Sequence, residues 1–184
     1  FLMSHFPILL WSGRTKSSSG HTFKEIIQKG KAYAMLSGHL HGSHRYFHHD
    51  ELLEVVGGDV QKGRFGLITV DEGHMVYHGL SNADVPNFLI TNPPPFEQLS
   101  KMTYFADDRV SLHVLVFNSN KTVSVLIDKW EDLEYMGEIR PGIFLYSKDI
   151  QAKQGFNELN VSCDGRKQVH KYFVGEKFPS SYKE

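Results

Sequence analysis

Regular alternation of apolar and polar residues in the second half of the chain restricts the fold more than any other feature. The segments "SLHVLVF" (111–117) and "TVSVLID" (122–128) alternate over most of their length. Strands that bury one face have this pattern, which is typical of antiparallel sheets. Other short apolar segments, separated by turn residues, are "KMTYF", "GIFLYSK", "NELNVSC" and "KQVHKYFVG". This spacing predicts an all-β immunoglobulin- or fibronectin-like sandwich over residues 93–184.

The first forty residues follow a different pattern. A buried strand is predicted in "FLMSHFPILLW", a polar loop in "SGRTKSSSGH" and a second buried strand in "AYAMLSG". Between them, Thr22 is expected to cap a short helix, "FKEIIQKGK", with Phe23, Ile26 and Ile27 on one face. The order strand, helix, strand indicates a βαβ unit whose two strands are parallel and buried.

Antiparallel strands are predicted to follow this unit. The segments "RFGLITV" and "HMVYHGL" flank "DEG", which is typical of a hairpin. Three consecutive prolines, Pro93–Pro95, predict a stiff extended spacer, so we expect a domain boundary near Asn92. The predicted fold is therefore a partial α/β lobe, a βαβ unit plus antiparallel strands, over residues 1–92, followed by the all-β sandwich.

Composition excludes several classes of function. The formal net charge is −1, so no basic surface for nucleic acid is expected. The longest apolar run, "FPILLW", is too short to span a bilayer. The single cysteine, Cys163, lies in an alternating segment, so a buried structural thiol is expected there rather than a nucleophile. Two glycosylation sequons, at Asn120 and Asn160, weakly favour a lumenal or secreted location.

Histidines at the ends of two predicted parallel strands are the candidate site. His39 and His41 follow the strand in "MLSGHLHG", and His5 follows the first strand, 34 residues upstream of His39. Because the carboxyl ends of parallel neighbouring strands meet at one edge, we expect His5, His39 and His41 to converge there. Imidazole nitrogens suit zinc, iron and manganese, so a metal site is predicted.

Other histidines have a plainer interpretation. We expect them to be solvated or to face a partner rather than to bind metal, because they lie in a polar loop or along the hairpin. They are His44, His48, His49, His74 and His78.

The segments "SHFP", "YAMLSGHLHG" and "EVVGGDVQKGRFGLITVDEG" together resemble the carboxyl-terminal half of a calcineurin-like metallophosphoesterase. The resemblance implies two divalent ions (Fe, Mn or Zn) that clamp a phosphate ester, with His5 and His39 on one ion and His41 on the other. The sandwich after "NFLITNPPP" resembles the transmembrane protein 62 branch of that family. That branch implies membrane association through parts of the protein other than these residues.

The family pattern also requires Asp-x-His, Gly-Asp-x-x-Asp and Gly-Asn-His before the first of these histidines, and none of them is present. Gly58-Asp59 follows the histidines instead, and Lys62 stands where a second aspartate would be. Two interpretations stay open. The chain is either an incomplete carboxyl-terminal part of a phosphoesterase or a degenerate, non-catalytic binding module. In either case we assign no catalytic residue and expect these 184 residues to be inactive by themselves.

Overall fold

The computed structural model describes residues 1–11, 16–30, 32–49, 52–99, 108–118, 122–126 and 129–175. The described part is 58% strand and 10% helix, with one α-helix. The predicted α/β lobe is therefore wrong, because strands do not alternate with helices beyond the first connection.

The strands are β1 (Leu2–Met3), β2 (Ala34–Ser37), β3 (Arg45–His49), β4 (Leu52–Val56), β5 (Arg64–Asp71), β6 (His74–Ser81), β7 (Phe88–Asn92), β8 (Arg109–Phe117), β9 (Val123–Leu126), β10 (Trp130–Asp132), β11 (Glu134–Arg140), β12 (Ile143–Gln151), β13 (Gly155–Cys163) and β14 (Arg166–Val174). The helix α1 spans Phe23–Gly30, and 3₁₀ turns lie at Ile8–Leu10, Val60–Lys62 and Phe96–Gln98.

The chain divides into two compact units. The first holds Phe1–Leu67 and Gly79–Asp84, and the second holds Ile68–His78, Val85–Leu99 and the described residues from 108 onward. The division runs through the hairpin of β5 and β6. Strand β7, which precedes the boundary expected near Asn92, pairs with β8 of the second unit.

A four-stranded mixed sheet forms the first unit, in the order β1-β2-β4-β3. Strands β1 and β2 are parallel across α1, as predicted, with Leu2 opposite Met35. Strand β4 is also parallel to β2, whereas β3 is antiparallel to β4. We predicted a polar loop at β3; its residues "RYFHH" form a strand because β4 offers them a paired edge.

Helix α1 begins with a reciprocal cap, which confirms the predicted start at Thr22. The Thr22 N–H donates to Glu25 Oε2 at 2.7 Å, and the Glu25 N–H donates to Thr22 Oγ1 at 3.3 Å. Ile27 packs with Met35 in a small core. Ile26, by contrast, is exposed, so only part of the predicted apolar face is buried.

The predicted long first strand is wrong. Only two residues form β1, and the chain turns into a 3₁₀ helix after Pro7, which lacks the N–H that a continuing strand would use. Strand β1 lies at the sheet edge, and most of the neighbouring apolar side chains are exposed. These are Phe1, Met3, Phe6, Leu9, Leu10 and Trp11.

Two antiparallel sheets form the second unit, in the orders β11-β12-β8-β7 and β10-β9-β13-β14. One buried cluster joins residues from both sheets, with Val114 of β8, Val125 of β9 and Val161 of β13 among its members. Burial alternates along β8 as its sequence predicts. Cys163 belongs to this cluster, which confirms the expected buried thiol. The predicted strand "KMTYF" lies outside the described residues.

The proline segment is not a spacer. Pro93 and Pro94 are buried within the second unit, and the Pro93 carbonyl accepts a hydrogen bond from His170 Nε2 at 2.8 Å. The prolines are therefore packed within the second unit, and Pro95 still has the extended conformation, with φ −65° and ψ 147°.

The hairpin around "DEG" is confirmed. Glu72 and Gly73 have φ values of 49° and 79°, the two positive values of a type I′ turn. Asp164 and Gly165 make the same kind of turn between β13 and β14, with φ values of 52° and 76°. Within the described chain, no helix has the length and apolar character needed to cross a membrane.

Candidate metal centre

Parallel pairing of β1 with β2 brings the first candidate histidine to the second. The ladder continues past the strand ends, because the Ser4 N–H donates to the Leu36 carbonyl and the Gly38 N–H donates to the His5 carbonyl, at 2.9 and 3.1 Å. His5 and His39 therefore leave the sheet at the same edge, as the βαβ argument predicts.

The rings of His5 and His39 meet edge to face, with an interplanar angle of 78°. His39 Nδ1 and His5 Nε2 lie 3.2 Å apart, and the ring of Phe6 packs within 5 Å (centroid to centroid) of both, at 4.6 Å from His39 and 4.7 Å from His5. His39 has a φ of 67°, a conformation that few residues other than glycine adopt. Strained backbone of this kind is concentrated at functional sites, so the geometry motivates a functional assignment.

A shared ion fits the two nitrogens. Nitrogen ligands bound at about 2.1 Å to one ion lie about 3.0–3.4 Å apart in octahedral or tetrahedral geometry. The 3.2 Å separation falls in that interval. Without an ion, the same contact is a hydrogen bond between one protonated and one bare nitrogen. Both rings are exposed, so an ion would reach them.

His41 points elsewhere. Its Nδ1 lies 3.5 Å from Asp59 Oδ1. In the described part of the chain, no group of three ligand atoms that lie within 4.8 Å of one another contains His5, His39 or His41. The structure thus joins two of the three predicted ligands and pairs the third with a carboxylate, so the three-histidine assignment stays a prediction.

Asp59 was missed as a site residue. It follows β4, and its side chain is buried and accepts a hydrogen bond from the Gln61 N–H at 3.1 Å. The Asp59 N–H donates to the Gly42 carbonyl at 3.1 Å, which ties this turn to the histidine loop. The signal that could have found it is the parallel rule: β4 neighbours β2, so the residues after both strands share an edge.

A cleft of about 250 Å³ opens over these groups. It is lined by the three histidines, by Asp59 and by the backbone of Gly38, Gly57 and Gly58, among others. At Gly58 the place of a Cβ is taken by the His44 ring and by Arg64 Cβ, so glycine there makes room for those side chains.

His44 was expected to be solvated or to face a partner, but its ring is hydrogen-bonded within the fold. Its Nδ1 accepts the Gly58 N–H at 2.9 Å, so the proton lies on Nε2, which donates to the Leu80 carbonyl at 3.4 Å. The ring lies against the backbone of Gly58 and Gly79. The histidine loop is thereby connected to the glycine turn and to β6.

His49 and His78 are also held inside the fold rather than solvated. His49 Nε2 lies 2.8 Å from Glu54 Oε2, a carboxylate that is fully buried. His78 Nε2 lies 3.0 Å from Thr69 Oγ1, and burial lowers the pKa of His78 to about 4. His49 is not among the residues that line the cleft.

The side-chain carboxylate of Glu54 is hydrogen-bonded to residues of three different elements. It accepts hydrogen bonds from the Ile8 N–H, the Ser37 hydroxyl and His49, at 2.9, 2.7 and 2.8 Å. Desolvation pushes the pKa of this carboxyl upward, but the bonds from His49, Ser37 and Ile8 outweigh it, so the pKa lies below its usual value. The buried charge is thus compensated and orders the segment that follows β1.

A second cluster lies in the second unit. Ligand atoms of Asp71, Glu72 and His113 lie within 4.8 Å of one another, and Thr91 donates to Asp71. The hydrogen bond to Asp71 raises the pKa of His113. Desolvation acts to raise the pKa of Asp71, but the bonds from His113 and Thr91 lower it overall. The sequence held no signal for this cluster, because Asp71 and His113 are 42 residues apart.

Comparisons with known proteins found no relative of this chain. No family model matches the chain, and neither a curated protein nor a solved structure matches it significantly.

Proposed function

We propose that the protein is a metal-dependent phosphoesterase, in which His5 and His39 bind one divalent ion and His41 binds a second. The observation that carries the proposal is the 3.2 Å approach of His39 Nδ1 to His5 Nε2 at the edge of a cleft lined by glycine backbone. The Gly-His-x-His sequence and its resemblance to calcineurin-like phosphoesterases favour phosphate esters as substrates.

The chain's own residues have definite tasks in this proposal. His5 and His39 supply two neutral nitrogen donors, and Phe6 packs against both rings to hold their orientation. Gly38 and Gly57 line the cleft without a side chain, beside the histidines where a phosphate group would bind. When bound, the ions would supply positive charge against the ester and activate the attacking water.

The proposal is tested by two measurements on the full-length protein. Metal content is measured after loading with Mn²⁺ and removing excess ion, together with hydrolysis of a nitrophenyl phosphate monoester and diester. We expect bound metal and ester hydrolysis in the wild type, with metal lost in His5→Ala and His39→Ala. His21→Ala is the matched control, because His21 belongs to the same unit and does not line the cleft.

Two results would contradict the proposal. Metal content that is the same in His39→Ala and in the wild type would show that the pair is an ordinary hydrogen bond. Metal bound through these histidines without hydrolysis of either ester would favour the non-catalytic binding module instead.

A further inference from the structure

We propose that Asp59 is a positioning residue for His41, in which the buried carboxylate accepts a hydrogen bond from Nδ1–H and leaves Nε2 to bind an ion. This inference rests on the proposed function, because it assigns a role to His41 as a ligand. It adds a carboxylate to the site that neither the histidine motif nor the family resemblance supplies.

The geometry pairs an exposed His41 ring with a buried Asp59 carboxylate. The His41 side chain is 67% exposed and Asp59 is 5% exposed, with 3.5 Å between Nδ1 and Oδ1. An exposed ring in a loop between Gly38 and Gly42 has many accessible orientations, so it needs an anchor to present one nitrogen consistently. Asp59 is fixed at both ends, by its N–H on the Gly42 carbonyl and by its Oδ1 on the Gln61 N–H.

The chemistry of imidazole explains the consequence. Which ring nitrogen binds a metal is decided by the hydrogen bond that the other nitrogen makes. A carboxylate on Nδ1–H selects the tautomer with a lone pair on Nε2 and makes that nitrogen a better donor. Because Oδ1 already accepts the Gln61 N–H from inside the fold, the carboxylate suits a role behind the ring better than direct coordination.

Two measurements on the full-length protein test this role. The first is nitrogen NMR of the His41 ring in metal-free protein, at a pH where the ring is neutral, which reports the tautomer directly. The second is titration with Mn²⁺ or Zn²⁺ against a chelating dye for wild type, Asp59→Asn and His41→Ala. Asp59→Asn keeps an oxygen that can accept the Gln61 N–H, so the turn should fold. Asp84→Asn is the matched control, since it makes the same change in the same unit and Asp84 does not line the cleft.

We expect the wild-type ring to carry its proton on Nδ1 and to lose this preference in Asp59→Asn. Affinity for one ion should fall about 10- to 100-fold in Asp59→Asn, with stoichiometry restored at saturation, whereas His41→Ala should lose that ion altogether. A wild-type ring protonated on Nε2, or an Asp59→Asn affinity equal to that of Asp84→Asn, would overturn the inference. If the wild type binds no ion, the proposed function fails on its own, and the tautomer still decides whether Asp59 holds the ring.

Discussion

At the scale of single residues, the His44 ring packs closely against two glycines, Gly58 and Gly79. A Cβ added at Gly58 would lie 2.7 Å from His44 Cε1, and one added at Gly79 would lie 2.5 Å from His44 Cδ2. Real Cβ atoms do not approach other atoms so closely. Both glycines are therefore required for close packing of the ring rather than for an unusual backbone conformation.

Substitution of Gly79 should therefore destabilise the first unit. We expect Gly79→Ala to lower its free energy of unfolding by about 1–3 kcal/mol, the usual cost of overpacking, measured by urea denaturation. Gly30→Ala is the control, because nothing lies within 4 Å of its Cβ position. The cost should shrink when Gly79→Ala is combined with His44→Ala, which removes the ring. Equal stability of the Gly79→Ala and Gly30→Ala proteins would rule out the steric explanation.

The meeting of His5 with His39 was predictable from the positions of single residues in the sequence. His5 and His39 were expected to meet because each follows an apolar strand, and the parallel rule needs only that local information. The partner of His41 needed one further fact, that β4 lies beside β2, which no local pattern provides. Asp59 reads as a turn residue in the sequence, and its burial depends on the packing of β4 beside β2.

At the scale of elements, the turn between β5 and β6 places Glu72 in a left-handed backbone conformation that does not suit it. Glu72 has a φ of 49°, which costs a residue with a Cβ about 1–2 kcal/mol, whereas asparagine tolerates this region better. The turn nevertheless forms, because Gly73 occupies the second position and the flanking strands pair.

We expect Glu72→Asn to raise the free energy of unfolding of the second unit by up to about 1 kcal/mol, read from thermal or urea unfolding. The matched change is Asp164→Asn in the second type I′ turn, where φ is 52°. Because aspartate already tolerates that conformation, Asp164→Asn should change stability little. A gain at position 164 as large as that at position 72 would contradict the argument from backbone conformation.

Strands and helix differ in how well their sequences predicted them. The strands β8 and β14, the hairpin around Gly73 and the cap at Thr22 were predictable, because alternation, turn residues and capping residues are local signals. Strand β3 was not, because its histidine-rich sequence resembles a loop and becomes a strand only beside β4.

At the scale of the whole molecule, buried histidines should make stability depend on pH. Burial lowers the pKa of His78 and of His170 to about 4 from an ordinary value of 6.5. Each ring is neutral in the folded second unit, while the unfolded chain takes up a proton below 6.5. Stability is therefore lost as the pH falls from 6.5 toward 4.

We expect the free energy of unfolding of the second unit to fall across this interval. The slope should correspond to the uptake of up to two protons on unfolding. His78→Gln and His170→Gln should each remove up to one proton from the slope, as measured by urea unfolding at a series of pH values. His170→Gln keeps an amide N–H that can donate to the Pro93 carbonyl. His113→Gln should leave the slope below 6.5 unchanged, since the raised pKa of His113 gives stability that is fully present below 6.5 and is lost only as the pH rises above it. A slope unaffected by both His78→Gln and His170→Gln would show that these rings do not cause it.

By itself, the sequence determined the alternating strands of the second unit, the hairpin turn, the helix cap and the meeting of His5 with His39, because alternation, turn chemistry and capping act over short distances. Tertiary structure alone decided the fold class, since one βαβ connection did not extend into an α/β lobe. It also decided the pairing of His41 with Asp59 and of Asp71 with His113. Sheet order and register bring those partners together, and no local pattern encodes either of them.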